Sequence, residues 1–200
     1  MIILIDGTLC SGKTNTGFVL EQKLSNYDAV RFDSDEERFR ELPNLDIQEG
    51  DCRILAHYMN DPFCRNFSKL ILEEAAKHSI VIVSMCLAGD SAKRYIVEGI
   101  KDRFLHHFIL SVSYNVLYRR AESDKNPTRD AYLAERSYER ITKYYEENYQ
   151  SAVRIDTDNI TVNDTVNFIL NEIGYESIES RASYVPGDID KDAKSGCGYA

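Results

Sequence analysis

Short apolar runs alternate along the chain with longer segments in which apolar residues recur at helical spacing. Five of these runs have the length of a buried strand, at residues 1–6, 29–32, 79–85, 104–112 and 153–155. Helices are expected after them, at residues 13–25, 36–77 (in pieces), 91–101, 114–122, 130–149 and 161–173. The alternation predicts an α/β fold, a three-layer sandwich in which helices cover both faces of a central parallel sheet of about five strands.

The pattern fades towards the C-terminus, where Gly174 is a suitable residue to end the last helix. Beyond it apolar residues are sparse, whereas Ser, Asp and Gly are frequent. We therefore expect one domain over residues 1–174 and a polar, flexible tail over residues 175–200. Where the last helix begins, Thr161 and Asp164 have the spacing of a capping box, with Asp in place of the usual Glu.

Composition and charge narrow the classes of partner. The 200 residues include 33 Asp and Glu against 24 Lys and Arg, which gives a formal net charge of −9. Such an acidic surface disfavours broad binding to nucleic acid or to an anionic membrane. Hydrophobic residues make up 43% of the chain, enough for a sizeable core, but no run reaches the roughly 20 apolar residues of a membrane span.

The cysteines and the first residues of the chain indicate the cellular compartment in which the protein is expected. The five cysteines form no CxxC pair and have no zinc-type spacing, which favours reduced thiols over a disulfide framework. The first apolar run ends at Asp6 and is too short for a signal peptide. We expect a cytoplasmic protein with no stable membrane insertion, as a monomer or a homodimer.

The most specific motif follows the first strand. Residues 7–14 read Gly-Thr-Leu-Cys-Ser-Gly-Lys-Thr and match G-x-x-x-x-G-K-[ST] in full, between a buried strand and a helix. Glycines let the backbone wrap a phosphate, the lysine reaches the β- and γ-phosphates, and the threonine hydroxyl can ligate Mg²⁺. The residues expected to bind the nucleotide are Gly7, Thr8, Leu9, Cys10, Ser11, Gly12, Lys13, Thr14 and Asn15.

The positions of the acidic residues narrow the class of phosphate-loop protein. The Asn-Lys-x-Asp signature of GTPases is absent, and the third strand ends in Ser84-Met85-Cys86, without the carboxylate usual in motor and AAA-type ATPases. Asp33 and Asp35 follow the second strand instead, which resembles the P-loop small-molecule kinases, shikimate kinase among them. The resemblance implies that Asp33 helps to hold Mg²⁺ or acts as a base, and that Asp35 binds the acceptor. From the residues alone, either aspartate could instead cap a helix.

A basic segment resembles the lid of nucleotide and shikimate kinases. It comprises residues 117–120, Leu-Tyr-Arg-Arg, followed by Lys125 and Arg129. The resemblance implies that Arg120 stacks on adenine and that Arg129 contacts phosphate when the lid closes. The alternative is a solvated helix face, on which the arginines pair with nearby glutamates.

Two further sets of candidates rest on the same kinase resemblance. Asp156 and Asn159 follow the last strand and would border the adenine, mainly through backbone atoms; the alternative is an ordinary turn, which the composition of residues 156–159 also favours. Arg53 and Arg65 fall between the second and third strands, where this kinase class binds its acceptor. By analogy with these kinases, the expected strand order is 2-3-1-4-5.

A second resemblance covers roughly residues 1–173. The loop at residues 7–16, the strand at residues 80–85, His106-His107-Phe108 with Leu110, and Asp-Thr-Asp-Asn at residues 156–159 are similar to the bacterial tunicamycin-resistance protein family. That likeness implies an ATP-binding, kinase-like fold and a role in tolerance to a nucleoside antibiotic. His106 and His107 lie in an alternating strand pattern that points them to opposite faces, so they are expected to pack in the core rather than to pair on a metal.

These features predict an ATP-dependent phosphotransferase that acts on a hydroxyl-bearing small molecule, with ATP and Mg²⁺ as cofactors. Lys13, Asp33 and Arg129 are the expected catalytic residues, and Thr14 and Asp33 the expected metal ligands. The alternative is a non-catalytic ATP-binding protein that sequesters a drug or a nucleotide-like ligand.

Overall fold

The computed structural model of the chain describes residues 1–34, 61–101, 104–123 and 131–175. The strands within these ranges are β1 (Ile2–Gly7), β2 (Ala29–Asp33), β3 (Ile80–Ser84), β4 (Leu105–Ser111) and β5 (Val153–Asp156). The helices are α1 (Lys13–Lys23), α2 (Asp61–Ala75), α3 (Asp90–Ala92), α4 (Tyr114–Ser123), α5 (Ala131–Asn148) and α6 (Val162–Glu172). A 3-10 turn (Ser25–Tyr27) follows α1, and a π-helical turn (Lys93–Val97) follows α3.

The strands form one parallel sheet in the order β2-β3-β1-β4-β5, as expected. The central strand β1 is buried along its whole length, which explains why its sequence is a continuous apolar run rather than an alternating one. Its register aligns Ile5 with Ser84, and Ser84 is paired in turn with Asp33. The carboxyl ends of β2, β3 and β1 therefore meet at one edge of the sheet.

The core occupies both faces of the sheet. Ile2 and Leu4 belong to a cluster with buried side chains of α2 and α5, such as Phe67 and Ile141. Because side chains alternate along a strand, Ile3 and Ile5 turn to the opposite face, and both are fully buried. A smaller cluster of Val112, Leu117, Ala121 and Ala134 packs against Leu9 and Cys10, so that α4 and α5 lie beside the loop after β1.

One predicted helix has a different form. The helix expected over residues 91–101 begins at Asp90, and after one turn it widens to a π-helical turn that is closed by the Glu98 amide on the Lys93 carbonyl oxygen at 2.8 Å. Gly99 then approaches the Tyr95 carbonyl so closely that a Cβ atom at position 99 would lie 2.2 Å from that oxygen.

The capping box at the start of α6 is confirmed. The backbone amide of Thr161 donates to Asp164 Oδ2 at 3.0 Å, and the Asp164 amide donates to Thr161 Oγ1 at 3.2 Å. The two side chains thus satisfy one amide each, as a Ser/Thr and Glu pair does in the usual form of this cap.

Internal contacts divide the chain into two units. The first, Met1–Val166, contains the sheet and the loop after β1. The second, Asn167–Ala200, contains the end of α6 in its described part, and its remaining residues lie outside the described ranges. The expected boundary at residue 174 stays a prediction. No helix in the described ranges is both long enough and apolar enough to cross a membrane.

Candidate active site

The loop between β1 and α1 has the backbone of a phosphate-binding loop. Gly7 and Gly12 adopt φ angles of 149° and 100°, which L side chains rarely adopt, and Cys10 has a φ of 57°. A Cβ atom at position 7 would also lie 2.6 Å from both the Leu110 carbonyl oxygen and Ser11 Oγ. The turn thus requires glycine at both positions, and α1 begins directly after Gly12, at Lys13.

The lysine of the motif is held inside the loop. Lys13 Nζ donates to the carbonyl oxygens of Gly7 and Thr8, at 3.0 and 2.7 Å. An ammonium group has three N–H donors, of which these contacts use two. The arrangement fixes a positive charge beside the N-terminus of α1, where the helix dipole also favours an anion.

Two oxygen-bearing side chains meet at the edge of the sheet, next to the loop. Thr14, in the first turn of α1, donates its hydroxyl to Asp33 Oδ2 at 2.9 Å. Asp33 is the last residue of β2 and is 4% exposed. The two residues expected to hold a metal are therefore brought together by the α1–β2 connection.

Two hydroxyls of the loop are buried without a hydrogen-bond partner among the described residues. Thr8 Oγ1 and Ser11 Oγ belong to residues that are 4% and 2% exposed. An unpaired buried hydroxyl costs free energy, so each is suited to an acceptor that joins the loop from outside the chain. Phosphate oxygens have that chemistry.

Arg120 connects the loop to the segment after β5. Its guanidinium donates to the Thr157 carbonyl oxygen at 2.6 Å, to Thr157 Oγ1 at 3.3 Å and to the Cys10 carbonyl oxygen at 3.5 Å. The Asp156 side chain accepts from the Asp158 amide at 2.9 Å and so shapes the same turn. Asn159 lies in this turn and is exposed. Of the residues expected beside adenine, Arg120 thus contacts the loop itself, and Asp156 and Asn159 lie in the turn that Arg120 contacts through Thr157.

Asp158 fixes the other side of this turn. Its carboxylate accepts from the Ser113 backbone amide at 2.7 Å, just before α4. This hydrogen bonding lowers the pKa of Asp158, because it stabilises the charged form. The turn after β5 is thereby tied to the start of α4, the helix that carries Arg120.

A buried acidic network lies directly beneath the loop and was not expected from the sequence. Asp6 is fully buried, and its Oδ1 accepts from the Gly7 amide at 2.7 Å, the Leu87 amide at 2.9 Å and the Tyr145 hydroxyl at 2.5 Å. His107 Nε2 lies 3.2 Å from Asp6 Oδ2. The sequence near Asp6 shows only that the first apolar run ends in an acidic residue. Many ordinary strands also end in a polar residue, so this feature did not indicate a buried network.

His106 and His107 pack against aromatic side chains, and Cys64 is buried, whereas Cys10 and Cys86 are half-buried. His107 contacts Asp6 and the Tyr149 ring, whereas the His106 ring lies beside Phe104 and Phe108, on the other side of the strand. Within the described ranges, no group of three or more His, Cys, Asp and Glu side chains could hold a metal ion. Burial raises the pKa of the Cys64 thiol to about 12.

Of the candidate acceptor residues, Arg65 can be located. Its guanidinium donates to the Tyr95 hydroxyl at 3.2 Å and lies 5.3 Å from the centre of that ring. The two side chains line a surface groove of about 580 Å³ between α2 and the π-helical turn, together with Lys69, Arg94 and others. Asp35, Arg53 and Arg129 lie outside the described residues.

Known proteins match this chain in structure. No family model matches, and neither does any curated protein sequence. The tunicamycin resistance protein of Deinococcus radiodurans is 23% identical with a TM-score of 0.62, over 86% of this chain and 95% of that one. A shikimate kinase from Aquifex aeolicus is 18% identical with a TM-score of 0.56, over 89% and 99%. A gluconokinase from Sinorhizobium meliloti is 17% identical with a TM-score of 0.56, over 91% and 97%.

These matches establish the fold class. The chain has the α/β fold of the P-loop small-molecule kinases and of a tunicamycin resistance protein, and both predicted resemblances are confirmed at the level of fold. Each match covers nearly the whole of the other chain, so the likeness extends well beyond the phosphate loop. The shared fold does not by itself identify the reaction, because one fold can carry many activities.

Proposed function

We propose that this protein binds ATP with Mg²⁺ and transfers the γ-phosphoryl group to a hydroxyl group of a small-molecule acceptor. The proposal depends most on one observation, the contact of 2.9 Å between Thr14 in the phosphate loop and Asp33 at the end of β2. In phosphoryl transfer the protein contributes mainly positioning and electrostatic stabilisation, and this contact joins a phosphate-binding loop to a candidate metal ligand.

The donor set fits Mg²⁺. Thr14 Oγ1 and Asp33 Oδ2 are hard oxygen donors, and Mg²⁺ in nucleotide sites is usually bound by one or two protein groups together with phosphates and water. We propose these two residues as its protein ligands. When bound there, the ion would offset the negative charge that develops on the transferring phosphoryl group.

The loop residues would bind and orient the polyphosphate. The third N–H donor of Lys13 and the unpaired hydroxyls of Thr8 and Ser11 supply donors beside the N-terminus of α1. Because these groups are held by the fold before the nucleotide arrives, little reorganisation is needed at the moment of transfer.

Arginines would act at the two ends of the nucleotide. Arg120 lies between Cys10 and Thr157, which supports a place for the base near Arg120, Asp156 and Asn159. The resemblance of residues 117–129 to a kinase lid implies that Arg129 would contact the transferring phosphoryl group and help to exclude water.

The acceptor would approach the same edge of the sheet. Asp33 is placed to orient or deprotonate its hydroxyl group, and Asp35, Arg53 and Arg65 are further candidates for holding it. The name of the neighbouring tunicamycin resistance protein suggests nucleoside antibiotics as acceptors to test, and those of the other neighbours suggest sugar acids and shikimate-like hydroxy acids.

A screen for acceptor-dependent ADP release tests the proposal. Nucleosides, sugars, sugar acids and uridine-type antibiotics are offered with ATP and Mg²⁺ to the full chain and to Lys13→Ala. We expect one class to give equal amounts of ADP and phosphorylated acceptor with the unchanged chain only. Binding of both ligands without ADP release would favour the sequestering protein instead.

A further inference from the structure

The Asp6 carboxylate collects hydrogen bonds from four separate parts of the fold. Its donors are the Gly7 amide at the start of the phosphate loop, the Leu87 amide after β3, the Tyr145 hydroxyl of α5 and the His107 ring of β4. A fully buried acidic side chain is costly unless such donors compensate it. The carboxylate is therefore held from four directions at once.

The network acts on the loop at its first residue. The Gly7 amide, which opens the phosphate loop, donates inward to Asp6 Oδ1 at 2.7 Å. The next carbonyl oxygens along the chain, of Gly7 and Thr8, are those that hold Lys13. Gly7 thus donates its N–H to Asp6 beneath the loop and accepts at its carbonyl oxygen from the ammonium within the loop.

Tyr145 is the part of the network that comes from a distant helix. Its hydroxyl is 2.5 Å from Asp6 Oδ1 and 3.4 Å from Cys86 Sγ, and the residue is 2% exposed. Burial and the nearby Asp6 charge raise the pKa of Tyr145 well above its usual value, so the hydroxyl stays protonated and donates.

We propose that Asp6 and Tyr145 are positioning residues for the nucleotide, which hold the phosphate loop in its binding shape from beneath. This inference rests on the proposed function, since it assumes that the loop binds ATP. Loss of the Tyr145 hydroxyl leaves the two amide donors and His107 on Asp6 but removes the donor that comes from α5, so we expect the carboxylate to shift, and the Gly7 amide with it. The binding shape of the loop is then lost without loss of the fold.

The test compares two Tyr→Phe variants on the same side of the core. Tyr145→Phe removes the donor to Asp6, whereas Tyr144→Phe removes a hydroxyl of the same helix that donates to another carboxylate, Asp90 Oδ1, at 3.0 Å. Affinity for a non-hydrolysable ATP analogue with Mg²⁺ is measured by calorimetry, and melting temperature by circular dichroism, on the full chain.

We expect both variants to stay folded, but a loss of affinity of about tenfold, roughly the value of one hydrogen bond, for Tyr145→Phe alone, because only its hydroxyl contacts the carboxylate that accepts from the Gly7 amide. Equal affinities of the two variants would overturn the inference. If the unchanged chain fails to bind the analogue, the proposed function itself is wrong.

A second variant covers the case in which Tyr145→Phe does not fold. Asp6→Asn keeps the shape of the side chain but replaces one acceptor oxygen with a donor, next to His107 or the Tyr145 hydroxyl. We expect it to bind the analogue at least tenfold more weakly. Affinity equal to that of the unchanged chain would overturn the inference.

Discussion

Two backbone carbonyl oxygens, those of Gly7 and Thr8, hold the Lys13 ammonium at 3.0 and 2.7 Å. The ammonium group is thus held in place by the loop, although it lies at the end of a long and flexible side chain. Such preorganisation reduces the conformational entropy that a long side chain loses on binding. Substitution of Lys13 is therefore expected to change the affinity for the nucleotide and to leave the folding of the domain unchanged.

Lys13→Ala is expected to weaken ATP binding and to abolish transfer, while the domain stays folded. The charge is lost, but the apolar core of the loop, at Leu9 and Cys10, is unchanged. Calorimetry and turnover measure the effect, with circular dichroism as the check on folding. Lys143→Ala, at an exposed ion pair with Glu147, is the matched control and should bind normally. Unchanged turnover in Lys13→Ala would contradict the assignment.

Asp33→Asn is expected to reduce turnover by about 10²-fold or more, because positioned acid–base and metal contacts typically contribute that much. The amide can still accept the Thr14 hydroxyl, so the local structure should persist. Steady-state kinetics with separate measurement of ATP affinity tests this. If the variant loses thermal stability and keeps its rate, Asp33 has only a structural role.

The sequence reveals some of these residues and hides others for a simple reason. The loop residues are consecutive, so their motif can be recognised in the sequence. The partners of Asp6, by contrast, are 81, 101 and 139 positions away in the chain, at Leu87, His107 and Tyr145. No local pattern distinguishes that carboxylate from an ordinary polar strand end. Its role depends on the register of the sheet and on the position of α5.

At the scale of elements, α1 is the helix that joins the loop to the sheet. Gly17 faces β3 so closely that a Cβ atom there would lie 2.5 Å from Ser84 Oγ and 3.3 Å from Arg31 Cδ. Ser84 in turn lies 3.4 Å from the Lys13 carbonyl oxygen. A helix this close to the sheet fixes where its first turn, with Lys13 and Thr14, can be.

Gly17→Ala is therefore expected to destabilise the protein, although alanine is the better helix former. Overpacking of a core typically costs about 1–3 kcal/mol, which exceeds the gain of about 1 kcal/mol in helix propensity. Chemical denaturation measures the change. The double variant Gly17→Ala/Ser84→Ala removes the clashing hydroxyl and should recover part of the loss. A single variant more stable than the unchanged chain would show that α1 can shift freely.

Strands are predicted closely where every residue of the strand is buried, because the sequence is then a continuous apolar run. β1 and β3 are buried throughout and read as apolar runs, so their positions were predicted closely. The stretch at Asp90–Val97 has helical spacing but contains a π-helical turn, which changes the backbone hydrogen bonding without changing the pattern of apolar residues. Only the packing against α2 and the close approach at Gly99 expose that difference.

At the scale of the whole molecule, the chain has a net charge of −9, and we propose that it binds the polyanion ATP at a loop where Lys13 and the N-terminus of α1 provide locally positive charge. Strand order was expected by analogy with kinases rather than from periodicity, because apolar runs carry no information about which strands are neighbours. The expected roles of Asp35, Arg53 and Arg129 remain predictions from sequence, since these residues lie outside the described ranges.

The protein is expected to lose stability in acid below about pH 4. Hydrogen bonds from Ser113 lower the pKa of Asp158, and those from Thr161 lower the pKa of Asp164, relative to a usual value of 3.8. A lowered pKa in the folded state contributes stability above pH 3.8, which is lost as the pH falls through the folded value. Each contribution is small because both groups are exposed.

Denaturant unfolding at a series of pH values checks this expectation. Asp164→Asn should be less stable than the unchanged chain at pH 7, and the difference should shrink towards pH 2.5. A difference that grows in acid would contradict the sign of the effect.

The most direct test of the central claim is a calorimetric titration of the full chain with a non-hydrolysable ATP analogue, with and without Mg²⁺, repeated with Asp33→Asn. We predict saturable binding with a dissociation constant below about 1 mM, in the range usual for enzyme substrates. Mg²⁺ should strengthen binding to the unchanged chain and have much less effect on Asp33→Asn. No binding at millimolar concentration, or binding indifferent to Mg²⁺ in both proteins, would contradict a magnesium–nucleotide site built from Lys13, Thr14 and Asp33.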